Sequence, residues 1–294
     1  MIEKDINSFE QLFNACKIAN VSIYKLAQTR EAYLSEKTEE QVRNVVKKSL
    51  YAMKEAIQTG LKSNELSISG MCGADCEKLQ KKFARKGAVF GKTFEKITTY
   101  ALATSEENLR MGKIVACPTA GSCGIVPSVL VAIAEDFNIS EEEQINALIT
   151  AGEVGRIISN KVALAGAVAG CQAECGVASA MSAGAAAQML GGSPRQVLSA
   201  VALAMKNLLG LTCDPVCGLV EVPCVKRNPF LAIHAMTAVE LALADVESKI
   251  PLDEIIDALE QTGKLMSPTL KESSQAGLAK TKTALAMEKK LGMS

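Results

Sequence analysis

Apolar residues recur at helical spacing along most of the chain. Between residues 39 and 60, Val42, Val46, Leu50, Met53 and Ile57 fall on one face of a helix. Thr38 and Gln41 form a capping-box pattern ahead of it, and Gly60 supplies a stop signal. Ser8 with Gln11 marks the start of "FEQLFNACKIAN", and Ser140 with Glu143 that of "EEEQINALITAGEVGRIIS". Ser193-Pro194 opens "PRQVLSAVALAMKNLLG", which Gly210 closes. Further helices are expected at "PFLAIHAMTAVELALADV", at "PLDEIIDALEQTG" and from about 279 to 290. One stretch has no polar face: "VALAGAVAGCQAECGVASAMSAGAAAQML", residues 162–190. It predicts a central helix buried on all sides, ending at Gly191-Gly192. Strand-like alternation between turn signals is absent. The fold class expected is all-α, a multi-helix domain packed around a buried, Ala/Gly-rich central helix. One domain over 1–294 is expected, with the more charged residues 1–110 as an outer helical layer.

Composition sharpens this picture. Apolar residues make up 48% of the 294, aromatics only 4%, and tryptophan is absent. Ala, Gly, Leu and Met must therefore fill the interior, which favours close helix–helix packing. Lys+Arg and Asp+Glu are equal at 32 each, so charge gives no argument for nucleic acid or an anionic membrane as a partner. A membrane span at 162–190 is disfavoured by Gln172 and Glu174 in its middle. The opening "MIEKDINSFEQ" has no apolar signal region, and ten cysteines in such a chain suggest reduced thiols in a cytoplasm.

Candidate chemistry sits where the helical pattern breaks: "SISGMCGADC" (67–76), "CPTAGSCGIVP" (117–127), "SNK" with "GCQAEC" (159–161 and 170–175), and "GLTCDPVCGLVEVPC" (210–224). In "PTAGSCG", Gly121 and Gly124 let backbone N–H groups approach a ligand at a helix start, where a carboxylate is favoured; an ordinary turn and cap is the plainer reading. The cysteines fit no compact metal motif. Cys72 and Cys76 lack a third partner three residues on, and paired C-x2-C spacing is absent. A dispersed site remains, with Cys213 and Cys224 from one loop and Cys171 or Cys175 from the central helix. Buried structural thiols are the alternative.

Several long motifs, in order, carry a resemblance: "CPTAGSCGIVP", "NKVALAGAVAGCQAECGVASAMSAGAA", "KNLLGLTCDPVCGLVEVPCVKRN" and "SPTLKESSQAGLAKT". "ADCEKLQKKFARKG" extends it more loosely toward the N-terminus. The chain resembles the α subunit of the iron–sulfur-dependent L-serine dehydratases. The resemblance implies a [4Fe–4S] cluster on three cysteines spaced C-x41-C-x10-C, which Cys171, Cys213 and Cys224 match and Cys175 and Cys217 do not. It implies conversion of L-serine to pyruvate and ammonia, an open iron acting on the substrate hydroxyl, and no pyridoxal phosphate. Lys161 is the lysine a pyridoxal Schiff base would need, and an all-α chain without a phosphate cup argues against one.

The resemblance also implies either one long chain or paired α and β subunits, and a β subunit is the partner expected here. The one histidine, His234, lies inside a helical pattern, so the expectation is that the β subunit completes the site and brings the base. Lys161 and Asn160 are catalytic candidates for holding the substrate carboxylate. Thr119, Ala120, Gly121 and Ser122 are substrate-binding candidates. Glu174, one turn from Cys171, is a candidate neighbour of the cluster, and Lys226 and Arg227 could bias its charge. Related chemistry on L-cysteine or L-threonine, or a non-catalytic helical scaffold, are the competing functions.

Overall fold

The computed structural model describes residues 6–293. Thirteen α-helices, and no strands, are present among them. The first five are α1 (Phe9–Ala19), α2 (Ile23–Leu34), α3 (Glu39–Lys62), α4 (Asp75–Lys86) and α5 (Gly91–Leu109). The middle of the chain forms α6 (Ile125–Asp136), α7 (Glu141–Ser159), the short α8 (Gly166–Ala169) and α9 (Val177–Met189). The remainder are α10 (Pro194–Lys206), α11 (Cys224–Leu243), α12 (Leu252–Leu265) and α13 (Lys282–Lys290).

Helix α9 is the hub. It packs against α6, α7, α10 and α11, and every side chain from Val177 to Ala187 is buried. Its alanines, serines and Gly184 let four helices approach closely. At Gly184 an added Cβ would meet Val201 at 3.0 Å. Helix α5 packs on α3, α6 and α11. Complete capping boxes at Ser8, Thr38 and Ser193 start α1, α3 and α10. At α7 only half the box forms, with Ser140 Oγ accepting from the Glu143 N–H.

Three expectations change. The central helix is not continuous. It breaks at Gly170, which has φ 78°, and resumes through a π turn, Gln172–Gly176, before α9. The stretch ahead of the break is not buried on all sides: Ala163, Ala165, Ala167 and Val168 are exposed. Gly60 does not end α3, which runs to Lys62. A methyl there would overlap the Ala103 carbonyl of α5, so the glycine permits a close helix crossing. Finally, the helix expected to begin at Pro229 begins earlier: α11 starts at Cys224, with Pro229 accommodated in its first turns. No helix among the described residues is long and apolar enough to cross a membrane.

Candidate active site

The break before α9 is where the chemistry gathers. Buried Gln172 holds it open. Its side chain donates to the Leu259 carbonyl of α12 at 3.1 Å and accepts from the Gly210 N–H at 2.8 Å, while its own N–H donates to Leu211 O at 3.0 Å. The resulting π turn carries Glu174 and Cys175 and is preceded by Cys171; the ligand atoms of the three lie within 4.8 Å of one another. π turns widen a helix by one residue and recur at functional sites.

Glu174 is buried, and two other elements frame its carboxylate. Thr119 Oγ1, from the loop before α6, donates to its Oε1. A Cβ on Gly121 would lie 2.5 Å from Oε1, and one on Gly166 would lie 3.0 Å from Oε2 and 2.8 Å from Cys213 Sγ. A side chain at either position would push the carboxylate from this place. Burial raises the Glu174 pKa above the ordinary carboxylate value, against the opposing bond from Thr119.

Cys213 and Cys224 come to the same place by separate routes. Cys213 sits in a short bridge to the segment after α12. Its N–H donates to Leu270 O at 2.9 Å, and its carbonyl accepts from the Glu272 N–H at 2.6 Å. Cys224 is the first residue of α11. Asn228, fully buried one turn later, ties that helix start to the loop before α6: its Nδ2 donates to Gly121 O at 2.9 Å and Cys224 O at 3.0 Å, and its Oδ1 accepts from the Gly124 N–H at 2.9 Å.

Arg227 supplies the positive charge. Its guanidinium donates to Thr212 O at 2.9 Å and Asp214 at 3.0 Å, and its charge bears on Cys171 and Cys224. Cys171 is held below the ordinary thiol value, first by the Cys175 thiol as donor toward it and, against burial, by Arg227. Burial pushes Cys224 up to about 12 and raises Cys213 as well, with the Cys171 charge adding to both. Cys217 lies in a different apolar cluster, with Val216 and Ala284.

The other candidates divide. In the loop before α6, Thr119 faces Glu174, whereas the buried Ser122 Oγ is engaged within the loop, with Thr119 and the Cys117 carbonyl. The N–H groups of Ala120, Gly121 and Ser122 have no acceptor among the described residues. Lys161 is exposed and pairs with Asp257 of α12 at 2.5 Å, and Asn160 faces Asn7. Neither touches Glu174 or the cysteines among the described contacts. Lys226 pairs with Asp75 at 2.6 Å. His234 bonds the Ala204 carbonyl of α10 at 2.9 Å. Sequence pattern does not single out Asn228, Asp214 or Glu272, and no periodicity marks them. Only the neighbouring glycines and cysteines hint at a site.

The family model described as "Serine dehydratase alpha chain" matches residues 18–279. The chain is 42% identical to the "Probable L-serine dehydratase, alpha chain" of Bacillus subtilis, covering 96% of this chain and 94% of that protein. It is 38% identical to the "L-serine dehydratase, alpha chain" of Peptoniphilus asaccharolyticus, over 95% of each. A third relative, the "L-serine dehydratase" of Helicobacter pylori, is 37% identical over 95% of this chain, which there spans only 62% of the protein. The chain belongs to the serine dehydratase alpha chain family.

Proposed function

We propose that this chain is the catalytic alpha chain of an L-serine dehydratase, a carbon–nitrogen lyase that converts L-serine to pyruvate and ammonia with a [4Fe–4S] cluster. Family membership supports the reaction. The observation that carries the site is the convergence of Cys171, Cys213 and Cys224 around the Glu174 carboxylate, with Gly121 and Gly166 leaving room beside it.

The donor set suits a cluster. All ten cysteines are free, three of the buried thiols come from three separate elements, and a guanidinium offsets their charge. Cys175 is closer to Cys171 than the ligand spacing of the resemblance requires. We assign it as the hydrogen-bond donor that steadies Cys171, with Cys171, Cys213 and Cys224 as the ligands. The chemistry such a cluster supplies when bound is Lewis acidity toward the β-hydroxyl.

The chain's own residues do the rest. The unpartnered N–H groups of Ala120, Gly121 and Ser122 receive the substrate carboxylate at the approach to α6. Thr119 Oγ1 donates to Glu174 Oε1 and holds that carboxylate in place. Burial of Glu174 and the thiols limits water at the site, which strengthens each of these interactions. Loss of the α-proton and the β-hydroxyl leaves aminoacrylate, which tautomerises to an imine and hydrolyses to pyruvate and ammonia.

The α-proton acceptor is assigned to a companion β chain. His234 is the sole histidine and is engaged between α10 and α11. This chain spans 62% of the Helicobacter pylori relative, and the sequence beyond the match there is long enough to carry such a group. Lys161, at the end of α7 and ion-paired to Asp257, is assigned a structural role and not that of a pyridoxal-binding lysine. The test is pyruvate formation from L-serine under strict anaerobic conditions, with the chain alone and with its companion. Turnover by the pair and little by the chain alone is expected. Equal rates would remove the companion from the mechanism, and a large preference for L-cysteine or L-threonine would replace the substrate.

A further inference from the structure

Cys213 is gripped through its neighbours from two directions. On one side is Arg227, in the first turn of α11, the helix that begins with Cys224. Its Nη1 donates to Thr212 O at 2.9 Å and its Nη2 to Asp214 Oδ1 at 3.0 Å, so one guanidinium spans Cys213 by holding the residues before and after it. On the other side the segment after α12 runs as a strap. The Cys213 N–H donates to Leu270 O at 2.9 Å, the Glu272 N–H to Cys213 O at 2.6 Å, and Ser274 Oγ to Pro215 O at 2.8 Å. Asp214 joins the two sides. Its Oδ2 accepts from the Leu278 N–H at 2.8 Å, and a Cβ on Gly277 would lie 2.5 Å from that oxygen, so the strap closes tightly there.

Two features make this more than an ordinary ion pair. The pair is shielded from water, with side-chain exposures of 17% for Arg227 and 7% for Asp214, so its bonds count for more than those of an exposed pair. The bridge also needs a fork. Two acceptors on either side of one residue are met by two nitrogens of a rigid plane, whereas a lysine ammonium offers the same charge from a single point. The adjacent cation, Lys226, goes elsewhere, to Asp75 at 2.6 Å. Across from Arg227, Glu272 and Ser274 of the strap are left-handed at φ 57° and 56°, a backbone that persists in non-glycine residues where the surroundings impose it.

We infer that Arg227 is a positioning residue: through the fork of its guanidinium on Thr212 and Asp214 it fixes the Cys213 loop to the first turn of α11, and charge alone does not replace it. Two of the three ligands proposed above are thereby carried as one body. The consequence for a cluster rests on that ligand assignment, and the placement of the Cys213 thiol does not.

The test compares wild type, Arg227→Lys, Arg227→Met and Asp214→Asn as full chains purified anaerobically. Freed of iron, each is pulsed with iodoacetamide, and labelling of Cys213 and Cys16 is read by peptide mass spectrometry. Cys16 is buried in α1 and reports global opening. Loss of one charge-assisted bond makes Cys213 label about 10-fold faster in all three variants, with Cys16 at the wild-type rate. The lysine variant keeps a positive charge beside the thiols, so its rise is not a change in thiol ionisation. Iron and sulfide are then restored, and release of iron to a ferrous chelator is about 10-fold faster in Arg227→Lys than in wild type, close to Arg227→Met. A lysine variant that matches wild type in both readings while the methionine variant departs from it would leave Arg227 a charge role and overturn the inference. Unchanged Cys213 labelling in all three, or equal rises at Cys16 and Cys213, would overturn it as well. A wild type that takes up no iron would instead sink the cluster assignment, and the labelling would still decide the clamp.

Discussion

Asn228 is the residue on which the assembled site depends most. It is fully buried, and its three hydrogen bonds join the start of α11, which carries Cys224, to the loop that carries Thr119 and Gly121. Asn228→Ala strands the Gly124 N–H and the Gly121 carbonyl and removes a second bond from Cys224 O. Each stranded buried group costs about 1–3 kcal/mol, and the small cavity adds to it, so the loss is about 3–5 kcal/mol. Unfolding entropy of roughly 2.1 cal/mol/K per residue gives about 0.6 kcal/mol/K for a chain of this length, so Tm falls by about 5–8 °C. Calorimetry at pH 7 reads this directly.

Asn207→Ala is the control. That side chain makes one bond to Leu203 O within its own helix, and Tm moves by less than about 1 °C. Asn228→Asp separates bonding from volume. It keeps the acceptor for Gly124 and sets an oxygen against two carbonyls, so its loss rivals that of alanine near neutral pH. The carboxyl's folded pKa is raised, and the variant regains stability as pH falls through that value. A fall in Tm below about 2 °C for Asn228→Ala, or an Asp variant as stable as wild type at pH 7, refutes the bridging role.

Other consequences follow from individual contacts. Gly121→Ala and Gly166→Ala place a methyl 2.5 Å and 3.0 Å from the Glu174 oxygens. For the role proposed for Glu174, steady-state kinetics should show kcat/KM down by about 100-fold, with Tm lowered by no more than about 5 °C. Gly60→Ala drives α3 from α5 and costs about 3 kcal/mol, whereas Gly152→Ala, exposed in α7 with no atom near its Cβ, gains about 0.5–1 kcal/mol; paired thermal melts check both signs. Glu153→Ala leaves Arg30 buried without its carboxylate and costs about 3–5 kcal/mol, measured by urea denaturation. Glu106 caps α4 by accepting from the Asp75 and Cys76 N–H groups, and burial raises its pKa while Oε2 finds no hydrogen-bond partner. Because the folded value lies above the unfolded one, its charged form opposes folding at neutral pH. Glu106→Gln is therefore as stable as wild type or more so at pH 8, and the advantage shrinks as pH falls through the folded value.

Much of the helical order was legible because its signals are local. Ser8, Thr38 and Ser193 start helices through residues three positions on, and the sequence displays both partners. The interruption of the central helix was not legible. Gly170 turns where Met266 Sδ would sit 2.7 Å from a Cβ, and Gln172 bonds residues of α12 and the 210–211 loop; these are partners distant in sequence. Helix α5 gives a blurred pattern because its buried face includes Thr98, Thr104 and Ser105, whose hydroxyls satisfy themselves on carbonyls a turn earlier. Within the site, cysteine spacing and glycine-rich loops pointed to the region. Asn228 and Asp214 escaped because an isolated polar residue shows its role only through what the fold sets against it.

Cys171, Cys213 and Cys224 are proposed above to hold an iron–sulfur cluster in an enzyme that dehydrates L-serine. Iron and acid-labile sulfide, determined anaerobically on wild type, Cys213→Ala and Cys217→Ala, test it most directly. About four of each per chain are expected in wild type and in Cys217→Ala, with pyruvate formed from L-serine, and loss of both iron and pyruvate in Cys213→Ala. Wild-type iron and sulfide retained in Cys213→Ala, or pyruvate formed by a wild-type protein free of iron, would contradict it.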